Sequence, residues 1–450
     1  MLIKNDFTKK EIFSSGAFYS AGIWTNRLLV AANTFIIIYF LSIYEYGVFK
    51  LIISLIAIFQ IFLFSGFDGV VRNEMAIALK NNKQKDVSQI FFEFIFFKAL
   101  LTLIIWIVLY LFIHYFFQYR YDLVFISILK IASFTLILNC FSELFSLFFK
   151  GTGNLYQISI VNSILEIIRL FFLLVLFKIL GASISVLFFS IIIIQILSHV
   201  IYFIIGRKIL INWWADFRFG LPRNIFKILF SHGKWSIFSN MFSSFTSNII
   251  NYIIKIFIST EAVAIYNVAN SIVSNLYQLL PINKILTIFL PYKIDINNLK
   301  KEYFFQGVKY LSYLYIFLMV IGYVGGGILF KFIFVKYSAS LPILYTMLLI
   351  FPFFGLLDFI GAYLYVLKHQ KDLFWASFVK NLIIIILSPL FIFLFGVYGT
   401  GITYVIYNLI WICSLYLIVI NRYPELVLSI YSFKISYREI RSLFINKKIF

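Results

Sequence analysis

The stretch FFEFIFFKALLTLIIWIVLYLFIHYFF, residues 91–117, decides the class of this chain. Apart from Glu93, Lys98 and His114 it is almost wholly apolar. Runs of about 18 or more mainly apolar residues read as membrane-crossing helices, because a helix rises about 1.5 Å per residue and the hydrocarbon layer is about 30 Å thick. The rest of the chain repeats the pattern. Of its 450 residues, 62% are hydrophobic and 12% charged, and mean hydropathy is +0.98. A soluble protein carries about 25% charged residues. The composition therefore predicts an all-α polytopic membrane protein. The first apolar segment, behind MLIKNDFTKKEIF, is too long for a signal-peptide core, and no A-x-A-like site follows it. Two cysteines, Cys140 and Cys413, both inside apolar runs, are too few for a disulfide framework or a zinc site.

Apolar segments bounded by polar turns fall at 14–41, 47–67, 89–115, 122–147, 155–179, 184–206, 235–258, 265–289, 305–330, 341–367, 373–396 and 398–421. These predict about twelve spans. The formal charge of +20 is explained by where the bases lie, without nucleic acid as a partner. With the N-terminus inside, 27 of the 38 Lys and Arg fall in the inner segments and five in the outer ones, Lys50, Arg120, Lys178, Lys331 and Lys336. Cytoplasmic loops carry such an excess of Lys and Arg. Both termini are then cytoplasmic. The tail ISYREIRSLFINKKIF is basic and amphipathic and suits the inner membrane surface.

The chain also repeats itself. F-S-S-G-A-F at 13–18 matches F-S-H-G-K-W at 230–235, an offset of 217 residues. At the same offset Ser42 matches Ser259, followed by Y-E-Y-G-V-F (44–49) and T-E-A-V-A-I-Y (260–266). Two pseudo-symmetric six-helix bundles are expected: 1–207 and 235–421, joined by a cytoplasmic linker at 208–234 and followed by the tail at 422–450. Parallel repeats of this kind place a transport site between the halves near the midplane.

Polar residues inside the spans are the candidates for that site. On span seven Ser236, Asn240, Ser243, Ser247, Asn251 and Lys255 recur every three or four residues and so share one helical face. Span eight carries Asn267, Asn270, Ser271, Ser274 and Gln278, ending near Pro281. Span one carries Ser20, Trp24, Arg27 and Thr34, with Asn26 and Asn33 beside them. Small polar residues also glue membrane helices together, but whole ladders exceed what one interface needs. A water-filled lumen is the stronger expectation.

Six bases lie within spans: Arg27, Lys98, Lys130, Arg169, Lys255 and Lys380. The acids there are Glu93, Glu143, Glu166 and Asp358. An arginine at a helix centre costs about 2.5–3.5 kcal/mol on insertion scales, so it faces a cavity or a partner. Glu166 with Arg169, and Glu93 with Lys98, are near enough in sequence to pair. Lys255 sits near a helix end and can snorkel. Arg27 and Lys380 have no acidic partner in their own helices. A guanidinium in a low-dielectric cavity binds phosphate bidentately.

Enzyme chemistry is poorly supported. No G-x-x-x-x-G-K-[ST] loop occurs. His114, His199, His232 and His369 are scattered without metal-ligand spacing. The outer loops are too short for a glycosyl-transferring domain.

Four further stretches carry a family resemblance: L-S-I-Y-E-Y-G-V-F (41–49), F-G-L-P (219–222), A-V-A-I-Y-N-V-A (262–269) and Y-G-T-G-I-T-Y-V-I (398–406). With the span pattern, the sequence resembles polysaccharide flippases of the Wzx type, in the multidrug/oligosaccharidyl-lipid/polysaccharide exporter superfamily. That resemblance implies a MATE-like fold with a cationic central cavity in a bacterial inner membrane. It implies no enzyme activity and no cofactor. The implied substrate is a polyprenyl-diphosphate-linked saccharide, with the lipid bilayer and other polysaccharide-assembly membrane proteins as partners. It carries Arg27 over first as an anion anchor, and leaves the coupling ion, proton or sodium, open. A cation-coupled multidrug exporter shares the fold but should line its cavity with carboxylates. A major-facilitator transporter should show G-x-x-x-D-R-x-G-R-R between spans two and three, which SGFDGVVRNEMAIALKNNKQKD (65–86) does not match.

Overall fold

The computed structural model describes residues 9–64, 67–81, 83–117, 123–152, 155–218, 220, 223–229, 234–279, 301–366 and 369–426. The second copy of the F-S-x-G motif at 230–233, Pro281 and the basic tail beyond 426 lie outside them. No strand occurs among the described residues. In chain order the helices are α1 (Lys9–Phe40), α2 (Ile43–Ile61), α3 (Phe67–Lys80), α4 (Gln84–Phe112), α5 (Leu123–Gly151), α6 (Leu155–Leu180) and α7 (Ile184–Asp216). After the short α8 (Arg223–Ile228) come α9 (Lys234–Phe257), α10 (Thr260–Gln278), α11 (Lys301–Phe332), α12 (Ser340–Leu348), α13 (Phe351–Val366), α14 (Gln370–Phe395) and α15 (Gly399–Arg422).

A helix satisfies its backbone groups internally, which hydrocarbon demands. The described part of each predicted segment lies mainly on one of these helices, the tenth on the pair α12 and α13. Seven described stretches are long and apolar enough to cross a membrane, or eight if α12 and α13 count as one span bent by 51°. One of the seven, Lys371–Arg422, contains both α14 and α15. Gly396, at φ 61°, breaks it in two. The serine and asparagine content of α9 and α10 keeps them below that apolarity.

Local capping follows the spacing of the sequence repeat. Ser42 and Glu45 form a capping box at the start of α2. At the start of α10, Ser259 accepts a hydrogen bond from the Ala262 backbone N–H. Both serines satisfy an otherwise orphaned N–H of a first helical turn.

Helices α1 to α7 pack on one another, chiefly α1 on α6, α5 on α7 and α6 on α7. Helices α9 to α15 do the same, chiefly α11 on α13 and α14 on α15 and α9. The two groups meet where α2 lies against α9 and α10 and where α1 touches α10. Apolar side chains cover the outside. On α4, Leu103, Ile104, Ile107, Val108 and Leu111 are all exposed. A soluble monomer does not display such a contiguous apolar face; here lipid covers it.

Polar links between the groups run from the end where α1 stops and α2 starts to the middle of α2. Lys336 Nζ donates to the carbonyls of Tyr39 and Leu41, closing the end of α1. Tyr252 Oη donates to Leu51 O at 2.9 Å. Asn267 Nδ2 donates to Asn251 Oδ1, and Asn251 Nδ2 to Ser54 Oγ, both at 2.7 Å. Gly47 permits the α2–α10 crossing: a Cβ there would collide with the Thr260 carbonyl oxygen. Backbone cannot give way as a flexible side chain can. Gly47→Val is therefore expected to cost about 3 kcal/mol or more, seen as a lower melting temperature of the detergent-solubilised protein.

Candidate substrate cavity

A cavity of about 460 Å³ opens among α1, α5, α6 and α7. Each wall is a polar face at helical spacing. Helix α1 supplies Asn26 and Arg27, and α5 supplies Ser142, Ser146 and Lys150. Helix α6 supplies Ser159, Asn162, Glu166 and Arg169, and α7 supplies Gln195, Ser198 and Tyr202. Gly22 lets α1 approach α6, since a Cβ there would strike the Ser159 hydroxyl. Three cationic side chains against one carboxylate leave a formal excess of two positive charges.

The one carboxylate is largely committed elsewhere. Asn33 Nδ2 donates to Glu166 Oε2 at 2.7 Å and to the Glu166 carbonyl at 3.0 Å. Arg169 Nη1 stands 3.7 Å from Glu166 Oε1, beyond a hydrogen bond. The expected Glu166–Arg169 pair thus exists, but loosely. Arg27 donates to Gln278 Oε1 of α10. That bond crosses from the first group of helices to the second. A neutral amide is a weaker acceptor than an anion, so the guanidinium is held at the cavity without being neutralised. Trp24 and Leu28, flanking Arg27 on α1, are exposed.

Of the residues singled out in the sequence, Asn26, Arg27 and Arg169 are brought together here. Asn33 and Gln278 stand behind them as hydrogen-bond partners. The polar ladders of α9 and α10 divide. Asn251 and Asn267 are buried and joined to each other between helices, so this part of the ladder packs helices instead of lining a lumen. Asn240, near the start of α9, and Ser247, one turn before Asn251, are exposed. Asn270 and Lys255 are half-buried. Lys380 lies over the Trp411 ring at 3.8 Å and the Tyr407 ring at 5.3 Å, outside the cavity. Its positive charge meets aromatic faces, which attract cations.

Lys98 departs most from expectation. It does not pair with Glu93. Its Nζ lies 2.5 Å from Asp68 Oδ1 and 2.5 Å from Glu143 Oε2, with the side chain 2% exposed. Glu93 instead accepts from Asn224 and Gln89. Residues three or four apart share a helical face; five apart, Glu93 and Lys98 point different ways. Asp68 and Glu143 border a second cavity, of about 340 Å³, lined also by Arg72 and Lys150. Sequence reasoning passed over Ser142, Ser146, Lys150, Ser159, Asn162, Gln195, Ser198 and Tyr202. Their signal was there, as three- and four-residue spacing on α5, α6 and α7.

The arrangement of helices around this cavity recurs in solved structures. The inward closed lipid II flippase MurJ aligns over 95% of this chain and 91% of its own, at TM-score 0.70 and 16% identity. An inward-facing multidrug resistance MATE transporter of the MOP superfamily aligns over 89% and 95%, at TM-score 0.69 and 12% identity. The MATE multidrug transporter DinF-BH, solved as a complex, aligns over 95% and 99%, at TM-score 0.66 and 13% identity. The fold is MATE-like. No curated protein matches the sequence. The profile of the family described as polysaccharide biosynthesis protein matches residues 13–292, more than half the chain, and the chain belongs to that family.

Proposed function

We propose that this protein moves a polyprenyl-diphosphate-linked oligosaccharide, a repeat unit of O-antigen or another surface polysaccharide, from the inner to the outer leaflet. The observation that carries the reading is the charge of the α1–α5–α6–α7 cavity. Its formal excess of two positive charges complements the two negative charges of a lipid diphosphate. Arg27 and Arg169 hold the phosphates as charge-assisted partners. In docking, the diphosphate takes Arg27 from Gln278, a favourable exchange of a neutral acceptor for an anionic one.

Transport then follows as alternating access between two halves, 1–207 and 235–421. The basic residues put the end where α1 stops on the outside. Lys336 closes that end, and Asn240 near the start of α9 is exposed, which supports a state closed outward; the Arg27–Gln278 bond still joins the two groups deeper in. The setting is a bacterial inner membrane with both termini cytoplasmic. The lipid tail stays in the bilayer during the exchange.

The drug-exporter fold sets the competing outcome. In proteoliposomes, the purified protein is expected to translocate a lipid-diphosphate-linked saccharide and to leave a cationic rhodamine dye where it is. Dye movement without saccharide movement overturns the proposal.

A further inference from the structure

Helix α7 keeps one exposed stripe from its middle to its end. Val200, Ile204, Ile211 and Trp214 are exposed along it, and Arg207 stands in the same row, also exposed. Their spacing of three or four residues puts them on one helical face. Lipid covers the apolar members of the stripe. Arg207 therefore meets lipid too, with Lys208 exposed beside it. Neither side chain has a hydrogen-bond or ion-pair partner among the described residues. Arg207 stands about 35 Å along the helix from its start at Ile184, at a rise of 1.5 Å per residue. The hydrocarbon layer is about 30 Å thick. The guanidinium thus sits just past the hydrocarbon, at the level of the lipid headgroups.

Two neighbouring tryptophans agree with that depth. Trp213 turns inward: it is buried, its ring 5.5 Å from Phe91 and 5.3 Å from Phe148. Trp214 turns outward and is 49% exposed, beside Phe96 at 6.3 Å and Phe217 at 5.9 Å. Phe96 is itself exposed. Tryptophan gathers at headgroup level, because its ring is apolar in body and polar at the tip. The chain beyond is fastened to α4. Arg218 N donates to Gln89 Oε1 at 3.2 Å, and Gln89 Nε2 donates back to Arg218 O at 3.0 Å. Asn224 N donates to Glu93 Oε2 at 3.1 Å. The bases and the aromatic rings are thus held on one fixed surface.

The charge of this surface names its ligand. Arg207, Lys208 and Arg218 are exposed here against one exposed acid, Asp216. A zwitterionic headgroup brings its own ammonium, so it complements such a surface poorly. An anionic phospholipid brings a phosphate with no cation of its own. A guanidinium takes a phosphate bidentately, and each base near an anionic membrane surface adds to the attraction. We infer that the end of α7 is a binding site for an anionic phospholipid. The phosphate sits on Arg207 and Lys208, the headgroup lies against Trp214, and the acyl chains run along Ile204 and Val200. The site lies outside the cavity, where the first group of helices leads into the linker. A lipid bound there fixes the depth at which the linker leaves the membrane, whatever the cavity carries.

The test places the purified full-length protein in nanodiscs of phosphatidylcholine and phosphatidylglycerol, with bromine on the chains of one lipid or the other. Comparing each protein with its Trp214→Phe version isolates the quenching of Trp214 fluorescence. As the lipid ratio is varied, wild type is expected to favour phosphatidylglycerol at Trp214 by about tenfold, the factor that 1.4 kcal/mol sets. Arg207→Gln with Lys208→Gln is expected to cut that preference to about threefold or less. Trp214 should stay quenched in that variant, which shows that the protein is still folded in the bilayer. Lys234→Gln with Lys371→Gln makes the same change of charge at two other exposed bases and should leave the preference standing. Equal quenching by the two lipids, a Trp214 that neither lipid quenches, or an equal loss of preference from both pairs of substitutions overturns the site.

Discussion

Arg27→Ala is expected to lower lipid-linked saccharide transport by about ten- to a hundredfold while leaving the protein fully inserted. Hydrogen bonds to charged groups contribute about 1.5–3 kcal/mol, and 1.4 kcal/mol is a factor of ten. The substitution removes one of three cations from the cavity, the one that also reaches α10 through Gln278. Insertion runs the other way. Taking arginine out of mid-helix relieves about 2.5–3.5 kcal/mol on insertion scales, so membrane abundance should hold or rise. That separation makes the variant informative, because lost transport cannot then be blamed on lost protein. Arg27→Lys keeps the charge but not the planar pair of donors, and should fall between wild type and alanine. Complementation of a strain lacking its own flippase, read beside membrane abundance, measures both quantities. Normal transport by Arg27→Ala at normal abundance would remove Arg27 from the substrate site.

The same residue shows how far the sequence could be read. Arg27 stood out because charge inside an apolar run is costly, a property of the residue and the solvent alone. The apolar span pattern was legible for a similar reason, since hydropathy acts within a few residues; the capped starts of α2 and α10 at Ser42 and Ser259 lie several residues ahead of the apolar spans that began at 47 and 265. The partners of buried groups were not legible. Lys98 could have met any acid on any neighbouring helix, and it is the packing of α3, α4 and α5 that chose Asp68 and Glu143. The ladders on α9 and α10 had the right period for a lumen. Period says that residues share a face, not what that face meets, and part of the face meets α2. The cavity wall was overlooked because single serines on α5, α6 and α7 look ordinary one helix at a time. Only four helices together, with Arg27 and Arg169 lining the same space, make it a candidate site.

Lys98→Met is expected to lower stability by about 3–5 kcal/mol, the cost of removing one partner from a buried ion pair. Methionine fills much of the lysine's volume but leaves Asp68 and Glu143 facing each other, half-buried, without their shared cation. The loss falls on a junction of four helices, since Gln60 of α2 also donates to Glu143 Oε1 at 3.0 Å. Neutralising one acid should cost less. After Asp68→Asn or Glu143→Gln the ammonium still has one carboxylate, and the new amide can still meet neighbouring acceptors. The triple variant with Lys98→Met, Asp68→Asn and Glu143→Gln removes every charge at once. It should recover much of the stability lost by Lys98→Met alone, because the penalty comes from leaving charges unpaired rather than from losing an attraction. Melting of the detergent-solubilised proteins reads the series. The order also separates two roles for this lysine. A substrate-binding Lys98 would lose transport at unchanged stability, and the triple variant would not restore it. A lysine that clamps α3, α4 and α5 loses stability first, and compensating neutralisation brings it back. A Lys98→Met protein that melts like wild type would rule out the clamp.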